Sequence, residues 1–361
     1  MAKIDGFFRL MVSEGGSDLH LAAGNKPMIR VSGDLRQIEY HELGHEELQT
    51  LLYEICPEDK QKHFEETGDL DFSYEIPGVA RFRANFFQQK WGVAAVFRQI
   101  PSEILTSEQL GLPPICLRLS MLKKGMVLVT GPTGSGKSTT LAAMLDYANR
   151  NRTDHILTLE DPIEFVHMSK SSLVNHREIG QHTKSFSSAL RGALREDPDI
   201  ILVGEMRDLE TIELAIEAAA TGHLVFGTLH TMSAMKTVDR IVEVFPANQQ
   251  EKIRVTLGDA LKGVIAQNLF KRIDKPGRCA ALEILVVNNA AAAVIRQGKT
   301  HQLLSVMQTG KKSGMQTLDD AIQSLLDKGW ISVEEAFEKS INKERFLSLL
   351  KEPPDELAMT S

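Results

Sequence analysis

The sequence predicts an α/β protein in which a domain built on a parallel sheet follows a smaller α+β domain and precedes a set of C-terminal helices. From residue 125 onward, short and almost continuously apolar segments alternate with helical segments, a pattern typical of strands covered on both faces. Over residues 1–100, apolar and polar residues alternate along several segments, which indicates antiparallel strands. At 361 residues the chain is long enough for two or three domains.

The elements of the first predicted domain follow from local patterns. Apolar residues at helical spacing predict a helix over 4–14, and a second helix is expected over 41–55. Period-two alternation and turn residues predict strands at 17–21, 28–31, 69–76, 80–88 and 92–100. The domain is therefore expected to span residues 1–100, with a linker at 101–114.

The second predicted domain spans residues 115–285. Its buried strands are predicted at 126–129, 156–160, 200–203 and 224–228. The remaining region, 286–361, is expected to be helical, with helices over 315–330 and 333–350.

The most informative segment follows the first strand of the second domain. Residues 128–141 read LVTGPTGSGKSTTL, which contains the spacing G-x-x-x-x-G-K-S of a phosphate-binding loop. Glycines let the backbone direct its N–H groups at phosphate oxygens, the lysine adds positive charge, and the serine offers a hydroxyl to Mg²⁺. Ser138 is the predicted Mg²⁺ ligand. The residues predicted to bind a nucleoside triphosphate are Gly131, Pro132, Thr133, Gly134, Ser135, Gly136, Lys137, Ser138 and Thr139.

A second motif, LREDPDIILVGEMRD at residues 194–208, places an acid after an apolar strand. Parallel sheets carry Mg²⁺-associated carboxylates at this end of a strand, so Glu205 is predicted to act at Mg²⁺. The alternative is an acid that only caps the next helix, a role that Asp208 and Glu210 also fit.

A third acidic segment, LEDPIEF at residues 159–165, also lies at a strand end. Hydrolysis needs a carboxylate that orients or deprotonates the attacking water, and Glu164 and Glu160 are both candidates. The motif by itself is weak, because acids are common before proline turns.

Two histidines flank the strand predicted at 224–228. Their positions make a γ-phosphate contact plausible for His223 and His230, although an isolated histidine is more often a hydrogen-bonding core residue. Metal binding is not expected, because no third ligand is close in sequence.

Arginines are the last candidate residues. Arg81 and Arg83 alternate with Phe82 on a predicted strand and therefore share a face, and Arg98 lies on the next strand. The shared face is either a solvated edge or a clamp on the phosphates of a neighbouring subunit, and spacing alone favours neither.

Composition limits the remaining function classes. The net charge of −7 gives no general attraction to nucleic acid, and none is expected as a partner. The three cysteines, Cys56, Cys116 and Cys279, are too far apart to indicate a disulfide framework or a zinc site. No apolar segment approaches the length of a membrane span, so the sequence predicts a cytosolic protein.

Together these motifs resemble those of the secretion-ATPase superfamily of ring-forming motors. Residues 131–139 resemble its Walker A box, 159–165 its Asp box, 200–205 its Walker B box and 221–231 its His box. Residues 194–208 match the superfamily signature at every position. Within the superfamily the chain is most similar to the type IV pilus retraction ATPase (PilT) family, through segments 17–20, 27–33, 79–85, 96–101, 298–302 and 314–318.

The resemblance implies a PAS-like first domain, a RecA-like ATPase core, and a homohexamer that hydrolyses ATP with Mg²⁺ to power pilus retraction. It implies that Glu164 is the water-activating base, that His230 and His223 report the γ-phosphate, and that Arg81, Arg83 and Arg98 contact ATP. It also implies a cytoplasmic position at the inner face of the membrane, reached only through an inner-membrane pilus platform protein.

One departure bears on the output of the motor. The family helix tied to retraction usually reads AIRNLIRE, whereas residues 290–297 read AAAAVIRQ, with Ala292 and Ala293 at the Arg and Asn positions. A paralogous accessory motor is therefore one alternative. An assembly or secretion motor is disfavoured because the paired Cys-x-x-Cys insertion is missing, and a nucleic-acid ring translocase would need a basic channel. A non-hydrolysing nucleotide-binding scaffold is disfavoured by Glu164 and Glu205.

Overall fold

The computed structural model describes residues 2–31, 33–100 and 103–350. Its chain divides into two compact units. The first comprises Met1–Glu103 with Glu164–Val166, and the second comprises Ile104–Ile163 and His167–Ser361. No helix within the described ranges combines the length and the apolar character needed to cross a bilayer.

The first unit is an α+β structure built on a six-stranded antiparallel sheet with the strand order β3-β2-β1-β6-β5-β4. Its elements are α1 Asp5–Ser13, β1 Asp18–Ala22, β2 Met28–Val31, β3 Asp34–Gln37, α2 His45–Tyr53, α3 Glu58–Thr67, β4 Asp69–Ile76, β5 Ala80–Gln89 and β6 Gly92–Ile100. Phe8, Phe82, Phe86 and Phe97 are fully buried between the sheet and its helices. The opposite face of the sheet carries polar side chains.

The second unit is an α/β structure built on a seven-stranded sheet with the order β13-β12-β7-β11-β10-β8-β9. Its strands are β7 Gly125–Thr130, β8 His155–Glu160, β9 Leu173–Glu178, β10 Ile200–Val203, β11 Leu224–Leu229, β12 Leu261–Lys271 and β13 Arg278–Val286. All neighbouring pairs are parallel except β12 and β13. The predicted fold class, with a parallel sheet as in RecA-like ATPases, is confirmed.

Helices cover both faces of this sheet and bury one apolar cluster on each side. They are α4 Ser107–Leu110, α5 Pro114–Ser120, α6 Lys137–Asn151, α7 Phe186–Ala193, α8 Leu209–Thr221, α9 Ala234–Glu243, α10 Ala247–Ala260, α11 Asn289–Arg296, α12 Leu303–Thr309, α13 Leu318–Asp327, α14 Val333–Lys339 and α15 Lys343–Leu347. A further cluster packs α13 to α15 on Phe270 and Cys279 of the β12–β13 hairpin.

The structure differs from the sequence predictions in several elements. Strands β3, β9, β12 and β13 and helix α3 were not predicted. The helix expected over 41–55 begins only after Gly44, and the helix expected over 333–350 is interrupted between α14 and α15. The predicted linker contains α4, which begins with a capping box at Thr106, and its residues 101 and 102 lie outside the described ranges. Residues 351–361 of the predicted C-terminal region also lie outside them.

Candidate nucleotide-binding site

Four of the predicted motifs follow the carboxyl ends of neighbouring strands in the second unit. Strands β7, β11, β10 and β8 are parallel and in register, so the segments that leave them share one edge of the sheet. Backbone bonds continue past the strands: Gly131 N donates to Leu229 O (3.3 Å), Met206 N to Thr228 O (3.1 Å) and Gly204 N to Leu159 O (2.8 Å). This carboxyl edge is where open α/β sheets bind ligands.

The phosphate-binding loop leaves β7 and ends at the first turn of α6. Gly131, Gly134 and Gly136 have φ of 142°, 76° and 84°, a region that favours glycine. The ammonium group of Lys137 is largely buried and donates to the carbonyl oxygens of Gly131 (2.9 Å) and Pro132 (3.1 Å). The lysine therefore lies inside the curve of the loop. Of the other predicted loop residues, Thr133 is exposed, Ser135 is buried, and Ser138 and Thr139 are half-buried in the first turn of α6.

Gln267 of β12 supports this loop and was not predicted from the sequence. Its side chain is buried, accepts from Thr140 Oγ1 (2.7 Å) and donates to Ser135 O (2.7 Å). A Cβ on Gly131 would lie 2.3 Å from the Gln267 carbonyl oxygen, so the close approach of β12 also requires glycine there. The feature of the sequence that could have indicated this role is a glutamine within the largely apolar segment that forms β12.

Glu205 and His230 contact each other at the same edge. Glu205 Oε1 lies 2.9 Å from His230 Nε2 and also accepts from the Arg207 guanidinium. Burial would raise the pKa of the Glu205 carboxyl, but Arg207 and His230 outweigh it and the pKa falls below its usual value. Glu205 is therefore a carboxylate. A Cβ on Gly204 would lie 3.1 Å from Leu159 O, which explains why a glycine separates the apolar strand from the acid.

The two acids of the Asp box differ in their surroundings. Glu160 is the last residue of β8, is buried, and lies 3.8 Å from His176 Nδ1 through its Oε1 atom. Glu164 is exposed and follows the Asp161–Pro162 peptide, which is cis. Glu160 lies at the carboxyl edge, and Glu164 belongs to the segment that continues from it.

The two predicted histidines lie at opposite ends of β11. Strand β11 separates His223 from His230, and His223 lies at the amino edge, where its backbone oxygen accepts from Gly125 N at the start of β7. A strand of this length places the two histidines about 20 Å apart. The His223 Nδ1 atom contacts Ala218 O (3.0 Å). The position of His223 at the amino edge does not support the expectation that it reports a γ-phosphate bound at the carboxyl edge of its own chain, and that role stays a prediction.

The three predicted arginines lie on the polar face of the first unit's sheet. Arg83 and Arg98 are cross-strand neighbours, and Arg81 shares their face because Phe82 between the two β5 arginines is fully buried. Arg98 Nε donates to Asp18 Oδ1 (2.8 Å), Arg81 Nη2 donates to Ser73 Oγ (2.8 Å), and Arg83 Nε lies 3.6 Å from Asp71 Oδ1.

The side chains at the carboxyl edge are suited to binding a nucleotide together with Mg²⁺. The Ser138 hydroxyl and the Glu205 carboxylate are hard oxygen ligands, and Mg²⁺ is usually held by one or two such groups together with substrate phosphates. The N-terminus of α6 and the Lys137 ammonium add positive charge for those phosphates.

Comparisons with known proteins agree with this geometry. A family model described as type II/IV secretion system protein matches residues 4–338. The type IV pilus retraction ATPase PilT of Pseudomonas aeruginosa is 57% identical over 333 residues, covering 92% of this chain and 96% of that protein. A twitching motility protein of Neisseria gonorrhoeae is 55% identical over 318 residues, covering 88% and 85% of the two chains.

A crystal structure of the pilus retraction motor PilT with bound ADP superposes with a TM-score of 0.90 at 46% identity, covering 97% of this chain and all of that one. These findings confirm the resemblance to the PilT family and the use of a nucleotide. The chain belongs to the type II/IV secretion system protein family, in its PilT branch of ATPases.

Proposed function

We propose that this chain is a motor ATPase that hydrolyses ATP with Mg²⁺ to power type IV pilus retraction. The observation that carries the proposal is the convergence of the phosphate-binding loop with the Glu205–His230 pair at one sheet edge. It occurs in a chain that shares more than half of its aligned residues with a pilus retraction ATPase.

In this proposal the loop backbone and Lys137 bind the phosphates, and Ser138 and Glu205 hold Mg²⁺, which neutralises phosphate charge. Glu164 accepts the proton of the attacking water, with Glu160 beside it on the same segment. His230 contacts the γ-phosphate and transmits its presence to Glu205 through their hydrogen bond.

The same proposal assigns a trans role to the arginine face. Arg81, Arg83 and Arg98 would bind phosphate oxygens of a nucleotide in a neighbouring subunit of a homohexamer, so that hydrolysis changes the geometry of the next subunit. The ring would act in the cytoplasm at the inner face of the membrane, through a pilus platform protein and without nucleic acid.

Complementation tests most directly whether this chain powers pilus retraction. The chain and its Lys137→Ala variant are expressed in a P. aeruginosa strain that lacks its own PilT, and twitching is scored. We expect the native chain to restore twitching and the variant to fail, because removing the loop lysine weakens phosphate binding. An unchanged strain, with the chain expressed and active as an ATPase, would contradict retraction.

The Mg²⁺ assignment has its own test. Ser138→Ala should raise the Mg²⁺ concentration for half-maximal ATP hydrolysis by about tenfold, since one oxygen ligand is lost. Thr139→Ala is the matched control, because it changes the next hydroxyl of the same turn. Equal behaviour of the two variants would contradict the assignment of Ser138.

An accessory motor is the second candidate, and α11 is the observation that favours it. This helix keeps its buried Ile295 and an ion pair between Arg296 and Asp259 (2.5 Å), while residues 290–293 are alanines. Failure to complement, together with full ATPase activity, is the result expected for an accessory role. Restoring Arg and Asn through A292R and A293N should then recover twitching.

A further inference from the structure

Two side chains of β9 hold the residues on either side of the segment that carries Glu164. Ile163 N donates to Glu178 Oε2 (3.2 Å), and His167 N donates to His176 Nε2 (3.0 Å). On each side of Glu164–Val166 the neighbouring residue, Ile163 or His167, is therefore held by a side chain of β9.

The anchors lie on a strand that is paired with β8. His176 and Glu178 are two residues apart on β9, so they share a face, and they pair in register with Thr158 and Glu160 of β8. Glu178 is buried. The His176 ring is fixed from its other side, where Nδ1 lies 2.7 Å from Thr158 Oγ1.

The His176 ring contacts both backbone groups of His167. Its Nε2 atom lies 3.0 Å from His167 N and 3.2 Å from His167 O. In either tautomer of the ring, Nε2 therefore has a backbone partner at His167.

The residues after the second anchor are tied to the helix of the phosphate-binding loop. Asn149 of α6 is fully buried, donates to Met168 O (2.8 Å) and accepts from Lys170 N (3.1 Å). Lys170 also pairs with Asp146 of α6. These contacts hold the residues that follow the second anchor in a defined position relative to α6.

We propose that His176 and Glu178 are positioning residues that set where the Glu164 carboxylate stands. The proposal rests on the proposed function, in which Glu164 activates water. Reacting groups must be placed to within a fraction of an ångström, and anchors on both sides of a three-residue segment restrict the position of its first residue.

The test compares His176→Leu with His176→Gln in the full-length chain. Leucine keeps much of the ring volume but has no acceptor, whereas the glutamine oxygen can accept from His167 N–H. We expect kcat for ATP to fall about tenfold or more in His176→Leu with KM within about twofold, and glutamine to restore most of the rate. His155→Leu is the matched control, because His155 bridges β8 to Asn175 of β9 at the amino edge (2.8 Å).

A double-mutant cycle separates this inference from the proposed function. If His176 acts through Glu164, His176→Leu should cost nothing further in a Glu164→Gln background. A normal kcat in Glu164→Gln alone would overturn the assignment of the base. A slow Glu164→Gln with an unaffected or additive His176→Leu would overturn only the anchor.

Glu178 provides an independent check if His176→Leu does not fold. Glu178→Gln keeps an oxygen acceptor for Ile163 N–H and should retain kcat, while Glu178→Leu should lower it with little change in ADP binding. Equal kcat in the two folded variants would contradict the anchor at Ile163.

Discussion

The two edges of the second unit's sheet carry the same residue types on the same strands. Lys124 and Lys137 lie on either side of β7, Asp199 and Glu205 on either side of β10, and His223 and His230 on either side of β11. At the amino edge, Asp199 accepts from His155 N (2.9 Å), His223 contacts Ala218 O, and Lys124 is exposed. The contacts of Asp199 and His223 are with backbone atoms, so they hold neighbouring chain segments in place.

At the carboxyl edge the same types contact a glycine loop and each other. Lys137 lies against the loop carbonyls, and Glu205 bonds to His230. Helices α6, α8 and α9 all begin near this edge, so their positive ends face it. Residue type alone therefore does not define the site. In a parallel sheet, the edge at which the residue lies decides whether it can reach a ligand.

The largest contrast is expected between Glu205 and Asp199. Glu205→Gln should lower kcat by about a hundredfold with ADP binding retained, because a charged ligand and its bond to His230 are changed. Asp199→Asn keeps an acceptor for His155 N–H and should leave kcat within about twofold. Steady-state ATPase assays and ADP titrations measure both. Similar losses in the two variants would remove the distinction between the edges.

The histidine pair gives the next contrast. His230→Ala should lower kcat about tenfold, because it removes the group that contacts Glu205 and faces the nucleotide edge. His223→Ala should leave ATP hydrolysis by the isolated subunit unchanged. A loss for His223→Ala in a preparation that is shown to be monomeric would restore the role that its position argues against.

Gln267 supports the phosphate-binding loop at the carboxyl edge. Gln267→Leu leaves the Ser135 carbonyl and the Thr140 hydroxyl without their partner, which costs about 1–3 kcal/mol for each buried group. We expect a lower Tm and weaker ADP binding. Asn268→Leu, on the next residue of β12, faces the other way and is the control; equal effects on ADP binding would contradict the supporting role.

The smallest effect concerns Glu283, which accepts from Ala234 N at the start of α9 (2.7 Å). Burial raises the pKa of its carboxyl, so its contribution to stability is present below the ordinary pKa and is lost as pH rises through the folded pKa. Glu283→Gln keeps an acceptor and cannot ionise. Its Tm relative to the native chain should therefore be more favourable at about pH 8 than at about pH 4. A constant Tm difference across that range would contradict the raised pKa.

Local patterns predicted those parts of the fold and site that are contiguous in sequence. The loop at 131–139 follows β7, Glu205 lies two residues after β10, and Glu160 ends β8; their meeting at one edge follows from parallel pairing. Five of the six strands of the first unit's sheet were predicted from alternation and turn residues, because one face of the sheet packs on the buried aromatic cluster.

The missed parts depend on contacts between distant residues or lack a local boundary. Gln267 supports a loop more than a hundred residues earlier, and nothing beside it in sequence indicates that contact. Strand β9 reads LVNHRE and is an edge strand with little apolar pattern, which also concealed His176 and Glu178. Strand β12 begins directly after α10 without a turn residue.

We expect the carboxyl edge of the second unit's sheet, and not its amino edge, to bind and hydrolyse ATP. The most direct test measures Mg²⁺-dependent ATP hydrolysis in Lys137→Ala and Lys124→Ala, which change lysines on either side of the same strand. We predict that Lys137→Ala loses nearly all activity and that Lys124→Ala keeps the native rate. Native activity in Lys137→Ala, or an equal loss in Lys124→Ala, would contradict the assignment of ATP binding to the carboxyl edge.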